Sequence, residues 1–340
     1  MATRRISTCV ALLLIGAATG CSGSPASSGP GTSAAPAWGA ATHLDHSQAS
    51  EDPTAVSCPS ASFCMAVLQS GYAARYDGTT WSQPTELPSA DGGEPDSVSC
   101  PAASFCLAVD ARDSATLVYK NSRWSSGGTI PDIQTGMASV SCPASNFCAA
   151  VDNGSDAFTF NGTSWSPATA IDPSGQLSTV SCPSATFCAA VDYGPNVLTF
   201  NGTSWSKPAA IDPGTYLQAV SCASASFCVA IDRKGNALTF DGRTWSAPVN
   251  ANPGGLTMGE GGISWPVVSC PASDFCAAVD GQGGNVVTFD GTTWTAPVTI
   301  DTKAAHSLNG PVLIFLMSVS CPSATFCVAG DTTGDAFVRQ

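Results

Sequence analysis

The chain has 340 residues, a formal net charge of −13 and only 11% charged residues. A protein this acidic repels the phosphates of nucleic acids and the head groups of anionic lipids, which argues against a nucleic-acid partner and against electrostatic attachment to a membrane. Its 16 cysteines would be a liability in a reducing cytosol. They therefore indicate an oxidising location outside the cytoplasm.

The N-terminal residues have the features of an export signal. Arg4 and Arg5 precede the short apolar run 10–16, which is too short to span a membrane. The segment then ends in Ala18-Thr19-Gly20-Cys21, which resembles the lipobox of bacterial lipoproteins. This resemblance implies a signal peptide over 1–20 and lipidation of Cys21. Residues 21–37 are rich in Ser, Gly, Pro and Ala and are expected to form a disordered tether. We expect an extracellular protein held to the membrane by the lipid anchor alone, or a secreted one.

One pattern occurs seven times: Val-Ser-Cys, five further residues, and a second cysteine. A repeat of about 40 residues with short apolar runs and turn dipeptides is typical of a propeller blade. The sequence therefore predicts an all-β protein, a seven-bladed β-propeller over residues 38–340 with four antiparallel strands per blade. The regular spacing also predicts one disulfide within each repeat and disfavours zinc. The predicted pairs are Cys58 with Cys64, Cys100 with Cys106, Cys142 with Cys148, Cys182 with Cys188, Cys222 with Cys228, Cys270 with Cys276, and Cys321 with Cys327.

The fourth repeat shows how one blade is organised. Its predicted strands cover 177–182, 187–191, 197–200 and 203–206. The Asn-Gly pair at 201–202 lies between the last two, and this dipeptide favours a two-residue type I′ turn. Trp205 and its equivalents in other repeats could form a sugar-stacking platform, but recurrence at one strand position favours packing between blades.

The ends of the chain are predicted to meet. The seventh repeat ends at Gln340 without its tryptophan strand, and 38–42 has the composition and spacing of that missing strand. An N-terminal strand that closes the last blade would also remove two open sheet edges.

The repeat is least regular in three connections between the fourth strand of one blade and the first strand of the next: 246–267, 295–318 and 39–55. Segments that depart from a repeat often carry its function. The candidate ligand-binding residues in these connections are His43, His46, Glu260, Trp265 and His306. Each could instead be solvated or packed against a neighbouring strand, and the His-x-x-His spacing outside a helix is a weak metal signal. We predict neither a metal nor a cofactor.

An aspartate ends the second strand of six repeats. Such a ring could bind calcium or a sugar, but an Asx turn into the next loop is the favoured interpretation. These residues are Asp110, Asp152, Asp192, Asp232, Asp280 and Asp331.

The segment 199–205, Thr-Phe-Asn-Gly-Thr-Ser-Trp, resembles the Asp-box of sialidase-like propellers, Ser/Thr-x-Asp-x-Gly-x-x-Trp, with one residue fewer before the glycine. The resemblance implies a secreted bacterial propeller of this broad kind. Sialidase activity does not carry over, because the scattered arginines do not match the family's carboxylate-binding triad.

Three functions fit these observations. The first is a membrane-tethered, monomeric binding or scaffold module for a cell-wall glycan or a peptide or protein. The second is a lyase or glycoside-cleaving enzyme that uses His43, His46, His306 and Glu260 in acid-base or metal chemistry. The third is a purely structural envelope protein. The first is preferred, and no residue is assigned as catalytic.

Overall fold

The computed structural model describes residues 36–44, 54–88, 94–110, 114–133, 135–251, 267–280, 283–303 and 314–340. Pro36–Gln340 forms one compact unit. Within the described ranges, no helix has the length and apolar character needed to cross a membrane.

The described residues form seven antiparallel sheets of four strands each, as predicted. We call each sheet a blade and name its strands A to D in order of pairing. Strands A are β2 (Thr54–Ser60), β6 (Pro95–Ala102), β10 (Met137–Ala144), β14 (Leu177–Ser184), β18 (Leu217–Ser224), β22 (Val267–Ala272) and β26 (Leu316–Ser323). Strands B are β3 (Phe63–Leu68), β7 (Phe105–Asp110), β11 (Phe147–Asp152), β15 (Phe187–Asp192), β19 (Phe227–Asp232), β23 (Phe275–Val279) and β27 (Phe326–Asp331). Strands C are β4 (Tyr72–Tyr76), β8 (Ala115–Lys120), β12 (Asp156–Phe160), β16 (Asn196–Phe200), β20 (Asn236–Phe240), β24 (Asn285–Phe289) and β28 (Asp335–Arg339). Strands D are β5 (Thr85–Glu86), β9 (Arg123–Thr129), β13 (Thr169–Ala170), β17 (Ala209–Ala210), β21 (Val249–Asn250), β25 (Val298–Thr299) and, in blade 7, β1 (Thr42–His43).

The blades form a closed ring in which strand A of each blade contacts strand A of the next, and β2 of blade 1 contacts β26 of blade 7. The N-terminal segment completes blade 7, as the sequence predicts. Trp38 bridges Arg339. Thr42 and His43 then pair with Ala336 and Asp335. The two ends of the propeller are thereby held in one sheet.

The core lies between neighbouring blades. Strand B is buried on both faces, which explains its small side chains: Ala189, Ala190 and Val191 of β15 are all fully buried. Trp205 packs at the edge of the cluster between blades 3 and 4, with its ring centroid 5.4 Å from that of Phe200. The tryptophans therefore contribute to packing between blades, as the favoured interpretation has it.

The serine of the Val-Ser-Cys motif links each blade to the next. Its Oγ accepts a hydrogen bond from the cysteine N–H in the following blade at 2.9 to 3.0 Å. The donor and acceptor pairs are Cys100 to Ser57, Cys142 to Ser99, Cys182 to Ser141, Cys222 to Ser181, Cys270 to Ser221, Cys321 to Ser269 and Cys58 to Ser320. The seven bonds form a closed circle, so this serine has a structural reason to recur in every repeat.

The cysteines of each motif are bonded within their own repeat, from Cys58–Cys64 to Cys321–Cys327. Each disulfide joins strand A to strand B across their short turn.

The predicted type I′ turn is wrong for blade 4. Phe200 bridges Trp205 across a four-residue loop, in which only Gly202 has a positive φ, of 92°. Asn201 Oδ1 accepts the N–H groups of Thr203 and Ser204 and stabilises the loop. A Cβ on Gly202 would also lie 3.2 Å from the Cα of Thr186 in the A–B turn, so both conformation and space require glycine.

A two-residue turn of the type I′ kind occurs instead in blade 2, at Asn121-Ser122, where both residues have positive φ. Strand D of blade 4 is also interrupted. Trp205 makes a single bridge, and regular pairing resumes only at Ala209–Ala210.

Candidate functional site

The B–C turns and the D–A connections lie at the same end of the ring. Ile171 N–H donates to Ser155 O and Leu177 N–H donates to Gly154 O, which fixes the connection from blade 3 to blade 4 against a B–C turn. We call this end the connection face. The A–B turns with their disulfides lie at the opposite end, the disulfide face.

Five of the six aspartates at the end of strand B form Asx turns on the connection face, as the favoured interpretation has it. The three residues after Asp110 lie outside the described part of the chain. Asp192 Oδ1 accepts the N–H groups of Gly194 and Asn196, and its Oδ2 accepts Asn196 Nδ2. Asp152, Asp232, Asp280 and Asp331 accept backbone N–H groups in the same way. These carboxylates are buried, so they do not present an exposed acidic ring to calcium or a sugar.

Two of these Asx turns each have a second aspartate close by, which comes from the preceding D–A connection. Asp172 is fully buried, and neither of its carboxyl oxygens has a hydrogen-bond partner among the described residues. Burial is the main cause that raises its pKa, and the charge of the neighbouring Asp192 raises it further. Asp212 has the same relation to Asp232, but the charge of Lys234 partly offsets the rise in its pKa. The connection face therefore contains carboxyl pairs between blades.

The junction between blades 6 and 7 places a lysine and a histidine beside its buried aspartate. Asp335 is 1% exposed, and its two oxygens contact His43 Nδ1 at 2.8 Å and Lys303 Nζ at 2.7 Å. Lys303 follows strand D of blade 6, whereas His43 belongs to the N-terminal strand of blade 7. Asp335 also donates its N–H to Asp331 Oδ1, and burial raises the pKa of Asp331 to about 7. Three separate parts of the chain thus meet at this junction.

Of the five candidate residues from the sequence, the structure describes only His43. It is on the connection face and is half exposed, with one ring nitrogen bound to Asp335. Through this contact His43 helps to hold the N-terminal strand in blade 7. His46, Glu260, Trp265 and His306 lie outside the described residues, as does Cys21.

The described part of the chain contains no group of three or more His, Cys, Asp or Glu side chains arranged to hold a metal ion. Sequence reasoning did not find Asp172, Lys303 or Asp335. A usable signal was present for Asp172, because Ile-Asp-Pro occurs at the same point of repeats three and four.

Comparison with known proteins supports the fold. No protein-family model matches the chain, and no curated protein matches it in sequence. Among solved structures, YCF48 bound to D1 peptide is 14% identical with a TM-score of 0.65 and covers 88% of this chain and 94% of its own. YCF48 from Cyanidioschyzon merolae is 16% identical with a TM-score of 0.63, over 88% of this chain and 98% of its own. The WD40 propeller domain of Doa1 is 12% identical with a TM-score of 0.68, over 89% of this chain and 97% of its own. At these identities the similarity establishes the fold alone, a seven-bladed propeller.

Proposed function

We propose that this protein is an extracellular binding or scaffold propeller that holds a peptide or protein partner on its connection face. The observation that carries the proposal is the distribution of regular and irregular structure. The serine circle repeats without interruption around the ring, whereas the three longest connections all join strands D and A. A rigid ring that varies at one end is suited to presenting a binding surface.

The partner's class is inferred from chemistry and from similar folds. One of the similar structures is a YCF48 protein bound to a peptide. The net charge of −13 favours a partner with basic groups over one with phosphates. A cell-wall glycan is the other ligand class that the sequence favours, and binding of glycan alone to this face would overturn the choice of a peptide.

The location is proposed from the leader and the cysteines. A signal peptide over 1–20, a lipid on Cys21 and a tether up to residue 37 would hold the propeller outside the cell membrane. Replacing Cys21 with Ser should release the protein from the membrane fraction into the medium. A Cys21→Ser protein that still sediments with membranes would contradict lipid anchoring.

The connection between blades 6 and 7 offers the sharpest test of the binding face. Lys303 must be kept, because its Nζ contacts the buried carboxyl group of Asp335. We would therefore shorten the loop within 304–310 and screen residues 36–340 against peptide and glycan arrays. The shortened protein should keep its melting temperature and lose the peptides that the parent binds.

A matched control replaces the same seven positions with Gly and Ser at unchanged length. If side chains of the loop make the contacts, this control should lose binding too. Peptide binding that persists in both variants, or that maps to the disulfide face, would refute the site.

A further inference from the structure

A groove of about 950 Å³ opens between blades 3 and 4 on the flank of the ring. Phe147 and Ala157 of blade 3 line one side, and Phe200 and Trp205 of blade 4 line the other. Its size lies within the range of small-molecule sites, roughly 300 to 1,000 Å³. The grooves at two other junctions, between blades 1 and 2 and between blades 6 and 7, are about half as large, at 420 and 490 Å³.

Strand D of blade 3 is interrupted beside this groove. Blade 3 pairs at Trp165 and Ser166, leaves the sheet through Pro167 and Ala168, and pairs again at Thr169–Ala170. Blade 2 has a continuous strand D, β9, and Trp165 at the junction behind it is only 9% exposed. Trp205 occupies the corresponding position behind the interrupted strand and is half-buried, as is Phe147. The accessible parts of two aromatic rings therefore line the groove.

The polar groups of the groove are almost all hydroxyls. Thr169, Thr203 and Ser204 line it and are exposed, whereas Ser166 and Ser206 donate to the adjacent Pro167 O and Lys207 O. Lys207 is the one charged side chain in the lining, and no carboxylate occurs there although the protein as a whole is strongly acidic. Half-buried rings beside neutral hydroxyls match a ligand that has an apolar face and a hydroxyl-rich edge.

A peptide bound by strand addition fits this groove poorly. That mode needs a row of free backbone N–H and C=O groups along a sheet edge. Here the edge strands β13 and β17 have two residues each, and Pro167 and Pro208 beside them have no N–H. Recognition must therefore come from side chains.

We propose that the groove between blades 3 and 4 binds a pyranose unit of a neutral oligosaccharide. The apolar C–H face of the sugar packs on Trp205 and Phe147, while its hydroxyls contact Thr203 and Ser204. Thr169 pairs with Ala157 near the other end of the groove, where the next sugar unit would lie. This site is on the flank, and of its lining only Ile171 and Pro173 belong to a D–A connection. The proposal does not depend on the function proposed for the connection face.

The test uses residues 36–340 and three probes: chitotetraose, cellotetraose and maltotetraose. Binding is followed by tryptophan fluorescence and calorimetry, with sugar up to about 10 mM because single-pyranose contacts are weak. We expect at least one probe to saturate at one site. Failure of all three to bind would overturn the proposal.

The position is tested by filling the groove. Ala170 lines it and is exposed on β13, so Ala170→Trp should block the sugar without disturbing the core. The matched control is Ala210→Trp, at the same register position on β17 of the next blade, where Ala210 pairs with Asn196 as Ala170 pairs with Asp156. We expect Ala170→Trp to abolish binding and Ala210→Trp to leave it unchanged. The reverse result, or binding that survives Ala170→Trp, would place the sugar elsewhere.

The stacking ring is tested by Trp205→Leu, which should weaken binding about tenfold. Trp165→Leu removes the equivalent ring at the closed junction and controls for lost stability. It should lower the melting temperature but leave sugar affinity as it was. Equal loss of sugar affinity in both variants would refute a specific role for Trp205.

Discussion

The carboxyl pair between blades 3 and 4 should make the propeller more stable in mild acid than in mild base. Asp192 already accepts three hydrogen bonds, from Gly194 N–H, Asn196 N–H and Asn196 Nδ2. Asp172 has no such donors and is fully buried. A protonated Asp172 that donates its O–H to Asp192 satisfies both side chains, whereas two ionised carboxylates repel each other in a dry site.

The sign of the pH dependence follows from the raised pKa of Asp172. Burial raises it most, and the charge of the neighbouring Asp192 raises it further. A pKa that is higher in the folded than in the unfolded state contributes stability at low pH, and this contribution is lost as pH rises through the folded-state value. One such proton changes the free energy of unfolding by at most about 1.4 kcal/mol per pH unit.

The perturbation is Asp172→Asn. The amide Nδ2 of asparagine can donate to Asp192 at every pH, as the protonated carboxyl does. Urea unfolding of residues 36–340 between pH 4 and 9 should give a smaller loss of stability with rising pH in the variant than in the parent. The variant should also be the more stable protein at pH 9.

Asp132→Asn is the matched control. It removes the same charge from the connection between blades 2 and 3, where Asp132 is exposed, and its pH profile should match the parent's. If Asp172→Asn has the parent's slope, or is less stable than the parent at every pH, the shared-proton reasoning is wrong.

Three further predictions concern the ring. Ser181→Ala removes the acceptor of the Cys222 N–H and should lower the free energy of unfolding in urea by about 1 to 3 kcal/mol. Ser226→Ala, in an exposed A–B turn, should lower it by less than about 0.5 kcal/mol. His43→Ala leaves the buried Asp335 with Lys303 alone, so the melting temperature should fall, and His43→Gln, which keeps a donor, should restore part of the loss. Deleting residues 22–35 should leave the melting temperature unchanged. Deleting residues 22–44 should lower it sharply, because the strand that closes blade 7 is lost. Equal melting temperatures for the two deletion variants would contradict the closure.

The architecture could be predicted because it depends on short-range, repeated signals. The cysteine spacing, the short apolar runs and the turn dipeptides each recur about every 40 residues of sequence. The position of 38–42 in blade 7 followed by counting residues from Trp38 to the next Val-Ser-Cys motif. Each of these inferences needed only the order of residues.

The conformation of the loops between strands C and D was predicted less well, because an Asn-Gly pair is compatible with more than one loop length. In blade 4 the side chain of Asn201 bonds two N–H groups, and this requires the four-residue loop and a negative φ at Asn201. In blade 2, Asn121-Ser122 adopts the two-residue turn without any glycine, beside the longest strand D of the ring. The length of the following strand, which the dipeptide does not specify, separates the two cases.

The junctions between blades could not be predicted because they combine residues from distant repeats. Asp172 matters through Asp192 at the 3–4 junction, and Asp335 matters through His43, at the other end of the chain. The two junctions satisfy buried carboxyl groups in different ways. At the first junction no cation contributes to the raised pKa of Asp172, which burial and the charge of Asp192 cause. At the second, His43 and Lys303 contact the two oxygens of Asp335, and the hydrogen bond to Asp335 raises the pKa of Lys303. A raised pKa contributes stability that is lost as pH rises through its folded-state value. A rise in pH therefore weakens both junctions, although one holds two carboxyl groups and the other a carboxyl group beside a lysine.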